Sequence, residues 1–142
     1  NKEDMEHSFS LGASGIQVAS RFIPTKECDA DIKFKEAYLN IKEKDLLIIE
    51  SPVGMPGRAI KNSFIEKVSK TKIPVNKCFN CIISCNPANT PYCITQALIS
   101  PVEGDIENGV LFCGSSVKNQ NKIRTVQEVL ADYFPNKFYK IS

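Results

Sequence analysis

The chain has 142 residues, of which 18 are Lys or Arg and 16 are Asp or Glu, so its net charge is +2. This length is enough for one compact domain. A net charge this close to zero differs from the strongly basic charge of nucleic-acid-binding proteins. No apolar run approaches the ~20 residues of a membrane span. Because the first residues do not form a secretory signal pattern either, we expect a cytoplasmic protein without nucleic-acid or membrane partners.

The first third of the sequence predicts short helices and strands separated by turns. Residues 3–11 predict a helix that ends with Gly12 at the C′ position. A short buried strand is expected at 15–19. Apolar residues recur at helical spacing over 31–40, which predicts a second helix, and residues 46–50 have the character of a strand.

The rest of the sequence predicts mainly helices. Four elements are expected in chain order: a Gly/Pro turn at 54–57 and helices at 58–68, 92–98 and 106–112. The last helix has the strongest signal, because Thr125 and Glu128 form a capping box in front of an apolar face. Pro135 is expected to end it.

The stretch Gly12-Ala13-Ser14-Gly15-Ile16-Gln17-Val18-Ala19-Ser20-Arg21-Phe22 combines a helix end, a turn and a strand with small residues at its tip. Small residues let backbone N–H groups approach a ligand closely, and oriented N–H groups bind anions. α/β barrels bind phosphate at strand tips of this kind. The stretch therefore fits either a phosphate site or an ordinary exit from a strand with nothing bound.

The same residues, LGASGIQVASRF, resemble the last barrel strand of the nitronate monooxygenase family, the FMN-dependent enzymes once called 2-nitropropane dioxygenases. The resemblance continues, in the same order, in SPVGMPGRAIKN (51–62) and NGVLFCGSS (108–116). Flavin-dependent enoyl-acyl-carrier-protein reductases are related in fold. The resemblance implies an α/β fold, namely the C-terminal part of a (β/α)8 TIM barrel with its last strand and a helical C-terminal extension. Such a part is incomplete by itself, since a whole barrel needs about 250 residues.

The resemblance also implies how the chain is divided. Residues 1–24 are expected to supply the last helix and strand of the barrel with its phosphate-binding loop. Residues 25–142 are expected to form a helical and loop extension that covers the flavin site. The expected partners are the N-terminal part of the same barrel, as a separate or cleaved chain, and a small-molecule substrate; homodimer formation is left open. Because the strand at 15–19 would have open edges, we expect the chain to fold only beside that N-terminal part.

The cofactor implied by the resemblance is FMN, and its phosphate would be bound at Ala19 and Ser20 by backbone N–H groups and the Ser20 hydroxyl. The family commonly has Gly-Thr at these two positions, and Ala tolerates close approach less well than Gly. Arg21 either neutralises the phosphate or forms an outward salt bridge. Gly114 and Ser115 are expected to line the flavin ring, and the alternative is a helix C-cap with a turn.

No catalytic residue is identified in this sequence. His7 is the only histidine, and the histidine that family members use lies on an earlier barrel strand, so its role is not transferred to His7. Arg58 is expected to tie down the preceding turn by hydrogen bonds to carbonyls, with a substrate carboxylate or acyl carrier as the alternative partner.

The cysteines Cys78, Cys81, Cys85 and Cys93 form a C-x2-C-x3-C-x7-C pattern. Four thiols at this spacing can converge on a tetrahedral zinc ion or a four-iron cluster. The first three resemble the cluster motif of flavin- and iron–sulfur-dependent dienoyl-CoA reductases, which have a longer gap before the fourth cysteine. Disulfides and ordinary reduced thiols are the alternatives. The two remaining cysteines, Cys28 and Cys113, are expected to be apolar packing residues.

Three hypotheses about function follow. The first is an FMN-dependent oxidoreductase that resembles nitronate monooxygenase and oxidises alkyl nitronates with O2. The second is an FMN-dependent enoyl-acyl-carrier-protein reductase that uses NAD(P)H as hydride donor. The third belongs to a different class, a metal-binding or iron–sulfur electron-relay module built on the four cysteines and not itself catalytic.

Overall fold

The structure, a computed structural model, describes residues 1–135. Their helices are α1 (Lys2–Ser10), α2 (Ile32–Glu36), α3 (Ser63–Val68), α4 (Ile94–Val102) and α5 (Val126–Ala131), and their strands are β1 (Leu46–Ile49) and β2 (Gly57–Ile60). Short 3₁₀ helices lie at Glu43–Asp45 and Ser115–Asn119. None of the helices in this part of the chain is long and apolar enough to cross a membrane.

The two strands form an antiparallel hairpin at the centre of the chain. Leu46 pairs with Ile60 and Ile49 with Gly57. The connecting turn contains Gly54 in the left-handed region, at φ 81°, which glycine adopts without steric cost. Gly57 is required for packing, since a Cβ there would lie 2.4 Å from the ring of Phe112. The hairpin is therefore pressed directly against the segment that precedes Gly114.

The apolar core is divided into three clusters. The largest joins the hairpin to α3 and α4, and its buried members are Ile49, Ala59, Phe64, Ile65, Tyr92, Ile94, Ala97 and Val110. A second cluster surrounds Tyr38, whose hydroxyl donates a hydrogen bond to the Phe112 carbonyl at 2.9 Å. The third connects α1 to α5 through Met5, Val129 and Tyr133. Each cluster thus joins segments that are distant in sequence.

Three sequence predictions are confirmed and a fourth is confirmed in part. α1 ends before Gly12, which has φ 94°, and β1 occupies the predicted strand. The turn predicted at 54–57 lies at 52–55, where the Gly54 N–H donates to the Ser51 carbonyl at 3.0 Å, and Gly57 already belongs to β2. In α5 the Thr125 side chain accepts from the Glu128 N–H while the Glu128 carboxylate accepts from the Thr125 N–H, which completes the predicted capping box. These elements have in common that local residues specify them.

The predicted helix at 58–68 is wrong in its first half. Residues 57–60 form β2 because β1 offers them a pairing partner, and the helix begins only after Asn62, whose side chain accepts from the Ile65 N–H. The helix predicted at 31–40 is shorter, at Ile32–Glu36, and the one predicted at 92–98 is shifted to Ile94–Val102.

The segment 106–112 is not a helix. Its backbone bonds to other elements instead: the Val110 N–H donates to the Ala97 carbonyl, and the Leu111 carbonyl accepts from the Ile60 N–H. A single bridge pairs Phe112 with Ala59.

The strand predicted at 15–19 is also absent, and these residues have no regular secondary structure. A barrel strand needs neighbours on both edges. The only sheet among residues 1–135 is the antiparallel hairpin, which does not reach this segment.

Candidate functional site

A cavity of about 510 Å³ lies between the beginning of α1, residues 16–21, the Gly114–Ser116 region and the C-terminal end of α5. Four of the residues singled out from the sequence line it together: Ala19, Ser20, Arg21 and Gly114. Ser115, the fifth, is exposed and is not among the lining residues, whereas its neighbour Ser116 is. The fold therefore brings the two ends of the predicted site to one place.

Ser20 connects the two halves of the cavity wall. Its hydroxyl oxygen accepts a hydrogen bond from the Gly114 N–H at 2.8 Å, across 94 residues of sequence. Its carbonyl accepts from the Gln120 side-chain amide at 2.9 Å. Ser20 is buried, and buried hydrogen bonds of this kind fix the register of the segments that they join.

The backbone beside Ser20 has unused donors. None of the N–H groups from Gly15 to Arg21 donates a hydrogen bond to another residue within 1–135. The turn at 19–22 closes instead through the Phe22 N–H, which donates to the Ala19 carbonyl at 2.9 Å. A row of unpaired N–H groups on a cavity wall is suited to an anion or another acceptor.

Arg21 forms the charged part of the wall. Its Nη2 donates to the Asp132 carboxylate, and its guanidinium lies 5.6 Å from the centroid of the Tyr133 ring. Its Nε is buried and has no hydrogen-bond partner among the described residues. The predicted salt bridge thus exists, but the side chain is only 14% exposed rather than pointing outward.

Asp132 is shared by two arginines. Arg124 donates to both of its carboxylate oxygens, at 2.5 and 2.9 Å. The hydrogen bond from Arg124 is the main cause that lowers the pKa of Asp132 below its usual range, and in return it raises the pKa of Arg124. Two guanidinium groups face one carboxylate, so the Arg21–Arg124–Asp132 cluster has a net positive charge.

Several residues of this site have no signal in the sequence. Asp132 stands at the C-cap of α5, and Tyr133 follows it. Met5 and Ser8 reach the cavity from α1. Nothing in the local pattern distinguishes these side chains from ordinary helix residues, because only the packing of α1 on α5 brings them to the cavity.

His7 and Arg58 do not contribute to this cavity. His7 is exposed on α1 and is not among the lining residues. Arg58 is exposed on β2, and within residues 1–135 its guanidinium donates no hydrogen bond, so the predicted tie to the 54–57 turn is not made by this side chain. The backbone carbonyl of Arg58 accepts a hydrogen bond from the Cys113 N–H at 3.0 Å.

The cysteine pattern converges on a different place. Cys78, Cys81, Cys85 and Cys93 all line a second cavity of about 290 Å³. All six cysteines are free thiols, which leaves the disulfide alternative unsupported. As the side chains of residues 1–135 stand, no three His, Cys, Asp or Glu residues are grouped closely enough to hold a metal ion. Cys113 packs against the Tyr38 cluster as expected, and burial raises its pKa.

Comparison with known proteins agrees with the resemblance. The family model described as nitronate monooxygenase matches residues 1–136. Proteins described as probable nitronate monooxygenases from Staphylococcus aureus (strain Newman) and Staphylococcus saprophyticus are each 35% identical over 63 residues, which is 44% of this chain and 18% of theirs.

Solved structures show a shared fold. FabK from Thermotoga maritima superposes with a TM-score of 0.73 at 23% identity, covering 95% of this chain and 40% of its own. A mutant of the same protein gives a TM-score of 0.70 at 22% identity over 95% and 37%. The chain therefore matches well under half the length of these relatives. Because the family model covers almost every residue, the chain belongs to the nitronate monooxygenase family.

Proposed function

We propose that this chain is part of an FMN-dependent oxidoreductase that oxidises alkyl nitronates with O2, and that the 510 Å³ cavity binds the phosphate end of the flavin. Family membership supports the class of reaction. Since the matched segment is only 18% of the curated relatives' length, we propose that the N-terminal part of the barrel supplies the rest of the active site, including the base.

The observation that carries the proposal is Arg21, which lines this cavity and whose buried Nε has no hydrogen-bond partner among residues 1–135. A buried donor without an acceptor is costly, by about 1–3 kcal/mol. An anion in the cavity would relieve that cost by drawing the guanidinium round until its Nε faces the anion. The N–H groups of residues 16–21, which have no acceptor within 1–135, and the net positive charge of the Arg21–Arg124–Asp132 cluster favour a phosphate as that anion. The Asp4 carboxylate also lines the cavity, but it is paired with the Asn1 ammonium at 3.0 Å.

Four of the lining residues have a distinct task in this proposal. The Ala19 and Ser20 N–H groups and the Arg21 guanidinium bind the phosphate oxygens. Ser20 also holds Gly114 in place through the 2.8 Å hydrogen bond. Gly114 has no side chain and thereby leaves room for a flat ring. FMN, when bound, supplies the electron-transfer chemistry, and the chain orients it.

A second candidate, an FMN-dependent enoyl-acyl-carrier-protein reductase, is favoured by the Arg58-Ala59-Ile60-Lys61-Asn62 string, which resembles one in those enzymes. Both candidates share the phosphate site. Oxygen uptake with propyl-2-nitronate, measured beside NADH oxidation with a crotonyl thioester, separates them. Oxygen uptake alone supports the first function, and NADH oxidation alone replaces it with the second.

The phosphate assignment is tested by comparing FMN with riboflavin, which lacks the phosphate. We expect the intact protein to bind FMN at least about 10-fold more tightly than riboflavin, because charge-assisted hydrogen bonds contribute about 1.5–3 kcal/mol. Arg21→Lys keeps the charge but removes the planar fork and Nε donor, so it should reduce this preference. Fluorescence titration gives both dissociation constants.

Arg124→Lys is the matched control. Arg124 binds the same carboxylate as Arg21 but does not line the 510 Å³ cavity. We expect it to lower stability while leaving the FMN-to-riboflavin preference within about twofold, since it makes no phosphate contact. Equal binding of FMN and riboflavin by the unmodified protein contradicts the assignment, as does an equal loss of preference in both variants.

A further inference from the structure

The connection between α3 and α4 is a long loop, residues 69–93, without regular secondary structure. It carries four of the six cysteines of the chain. Loops of this length inside compact domains are uncommon and are usually functional or disordered. We propose that Cys78, Cys81, Cys85 and Cys93 bind a thiophilic metal centre through four thiolates, either a zinc ion or a four-iron cluster, independently of whether FMN binds.

The shared cavity is the first support. All four cysteines line the same space of about 290 Å³, although they are up to fifteen positions apart. Among the described lining residues there is no carboxylate and no imidazole, and the remainder are apolar side chains, Asn80 and Thr90. Hard cations such as Mg²⁺ or Ca²⁺ require several oxygen ligands, whereas thiolates select zinc and iron–sulfur centres.

The turn between the first two cysteines is the second support. Asn80 has φ 51°, in the left-handed region, and its N–H donates to the Cys78 sulfur at 3.4 Å. This left-handed residue and its hydrogen bond lie between Cys78 and Cys81. Backbone hydrogen bonds to sulfur stabilise the negative charge of metal-bound thiolates.

Cys93, the most distant of the four, has a fixed position. It is the N-cap residue of α4, but its side chain makes no capping hydrogen bond. The preceding residue, Tyr92, is buried, and its ring packs edge-on against Phe64 at 5.3 Å. The base of the loop therefore holds the Cys93 thiol at the cavity while leaving it free for another partner.

The charge of the surroundings fits a four-thiolate centre. Between Glu66 and Glu103 the sequence has no acidic residue, and it has the lysines Lys67, Lys70, Lys72 and Lys77. Four thiolates around a divalent ion leave a net negative charge, which nearby ammonium groups offset. Lys67, Lys77 and Cys93 line a common neighbouring cavity, where Glu107 is the one carboxylate among the described lining residues. The Lys77 ammonium lies 5.2 Å from the centroid of the Phe79 ring.

Among the described residues, no three of the thiols are close enough together to hold one metal ion. Metal binding therefore requires the thiols to move toward one another. The loop permits this approach. One backbone bond closes its base, from the Ile73 N–H to the Pro91 carbonyl at 2.8 Å. The backbone bonds between these two residues are few and local, such as those from the Cys85 N–H to the Ile82 carbonyl and from the Asn89 N–H to the Asn86 carbonyl. Metal binding would then order the loop, as it does in small metal-dependent folds.

Elemental analysis tests the proposal directly. The protein is purified under argon in chelator-treated buffer, and zinc, iron and acid-labile sulfide are measured per chain. About one zinc, or about four iron with four sulfide, supports the site and identifies the centre. Each of C78S, C81S, C85S and C93S should lose most of the metal. C28S is the matched control, because Cys28 is half-buried like Cys85 and lies outside the motif.

A second measurement does not depend on variants that fold poorly. Exposure alone predicts that Cys78 and Cys81 react with iodoacetamide before the half-buried Cys28. A metal centre reverses this order, so peptide mass spectrometry should find Cys78 and Cys81 protected until a chelator or acid is added. Substoichiometric zinc and iron together with rapid alkylation of Cys78 and Cys81 in the native protein overturns the proposal.

Discussion

Two irregular segments of this chain carry the candidate sites, and they are held in place differently. In residues 15–21, Ser20 and Arg21 are tied to Gly114, Gln120 and Asp132, which are about a hundred positions away. The loop at 69–93 has mainly local backbone bonds and is attached to the main core through Ile73 and Ile82. The comparison shows two ways of positioning a segment without regular structure: polar side chains that bond to distant elements, and a few apolar side chains packed on the core.

The largest expected effect is on the free energy of unfolding, and it distinguishes the base of the loop at 69–93 from its tip. Tyr92 is 1% exposed and Ile83 is fully exposed. We expect Tyr92→Ala to lower the free energy of unfolding by about 3–5 kcal/mol, because it leaves a large cavity in the main core. Ile83→Ala should change it by less than about 0.5 kcal/mol. Urea unfolding of the intact protein measures both, and similar losses would mean that the tip is packed as well as the base.

The next effect concerns the carboxylate that anchors residues 15–21. Asp132→Asn removes the charge that pairs with Arg21 and Arg124, and since its side chain is 30% exposed we expect a loss of only about 1–2 kcal/mol. The pKa of Asp132 is below its ordinary value of 3.8 because of the hydrogen bond from Arg124.

The sign of the pH dependence follows from that lowered pKa. The contribution of Asp132 is present above pH 3.8 and is lost as the pH falls through the lower folded-state pKa. The melting-temperature difference between the protein and its Asp132→Asn variant should therefore shrink in acid. A difference that grows as the pH falls would contradict this.

Ser20→Ala is expected to cost about 1 kcal/mol, since it leaves the Gly114 N–H without its acceptor. Ser8→Ala is a suitable control, because Ser8 also lines the cavity but its hydroxyl bonds only within α1, to the Asp4 carbonyl. Thermal unfolding of both variants checks the difference. If the two lose stability equally, the long-range hydrogen bond is not an anchor.

A substitution at Gly114 should change stability little but FMN binding clearly. A Cβ at Gly114 would meet only the Ser20 and Ser116 hydroxyl oxygens, at 3.5 and 3.9 Å, which is ordinary contact. We expect Gly114→Ala to leave stability within about 0.5 kcal/mol. The added methyl occupies cavity space, so FMN affinity should fall about tenfold. Unchanged FMN affinity would mean that Gly114 does not approach the cofactor.

Sequence reasoning succeeded where the determinants are local. The Thr125–Glu128 capping box and the glycine after α1 are specified by residues within one turn of the helix ends. It failed at residues 58–60, where a helix was predicted but the chain pairs with β1. It also missed Asn62 as the N-cap of α3, although asparagine is a common N-cap residue. At 15–19 the pattern of a strand is present but no pairing partner is available among the described residues.

The candidate site was predictable in part, for a different reason. That Ser20 and Gly114 belong to one cofactor site was expected only because both lie in motifs shared with a family, since spacing alone does not relate residues 94 positions apart. Their direct hydrogen bond was not expected. Asp132 was not expected, because an aspartate at the end of a helix is usually an exposed surface residue. Its role arises from the packing of α5 beside Arg21.

The buried Nε of Arg21 has an energetic consequence for α5. Arg21 touches the cavity on one side and the carboxylate at the end of α5 on the other. An anion that takes up the spare Nε donor would restrain the guanidinium that holds Asp132, so occupancy of the cavity and attachment of α5 are thermodynamically coupled. Such coupling is reciprocal. Flavin binding should therefore slow amide hydrogen exchange in a helix that contributes no backbone group to the cavity, and loosening that helix should weaken flavin binding to the same extent.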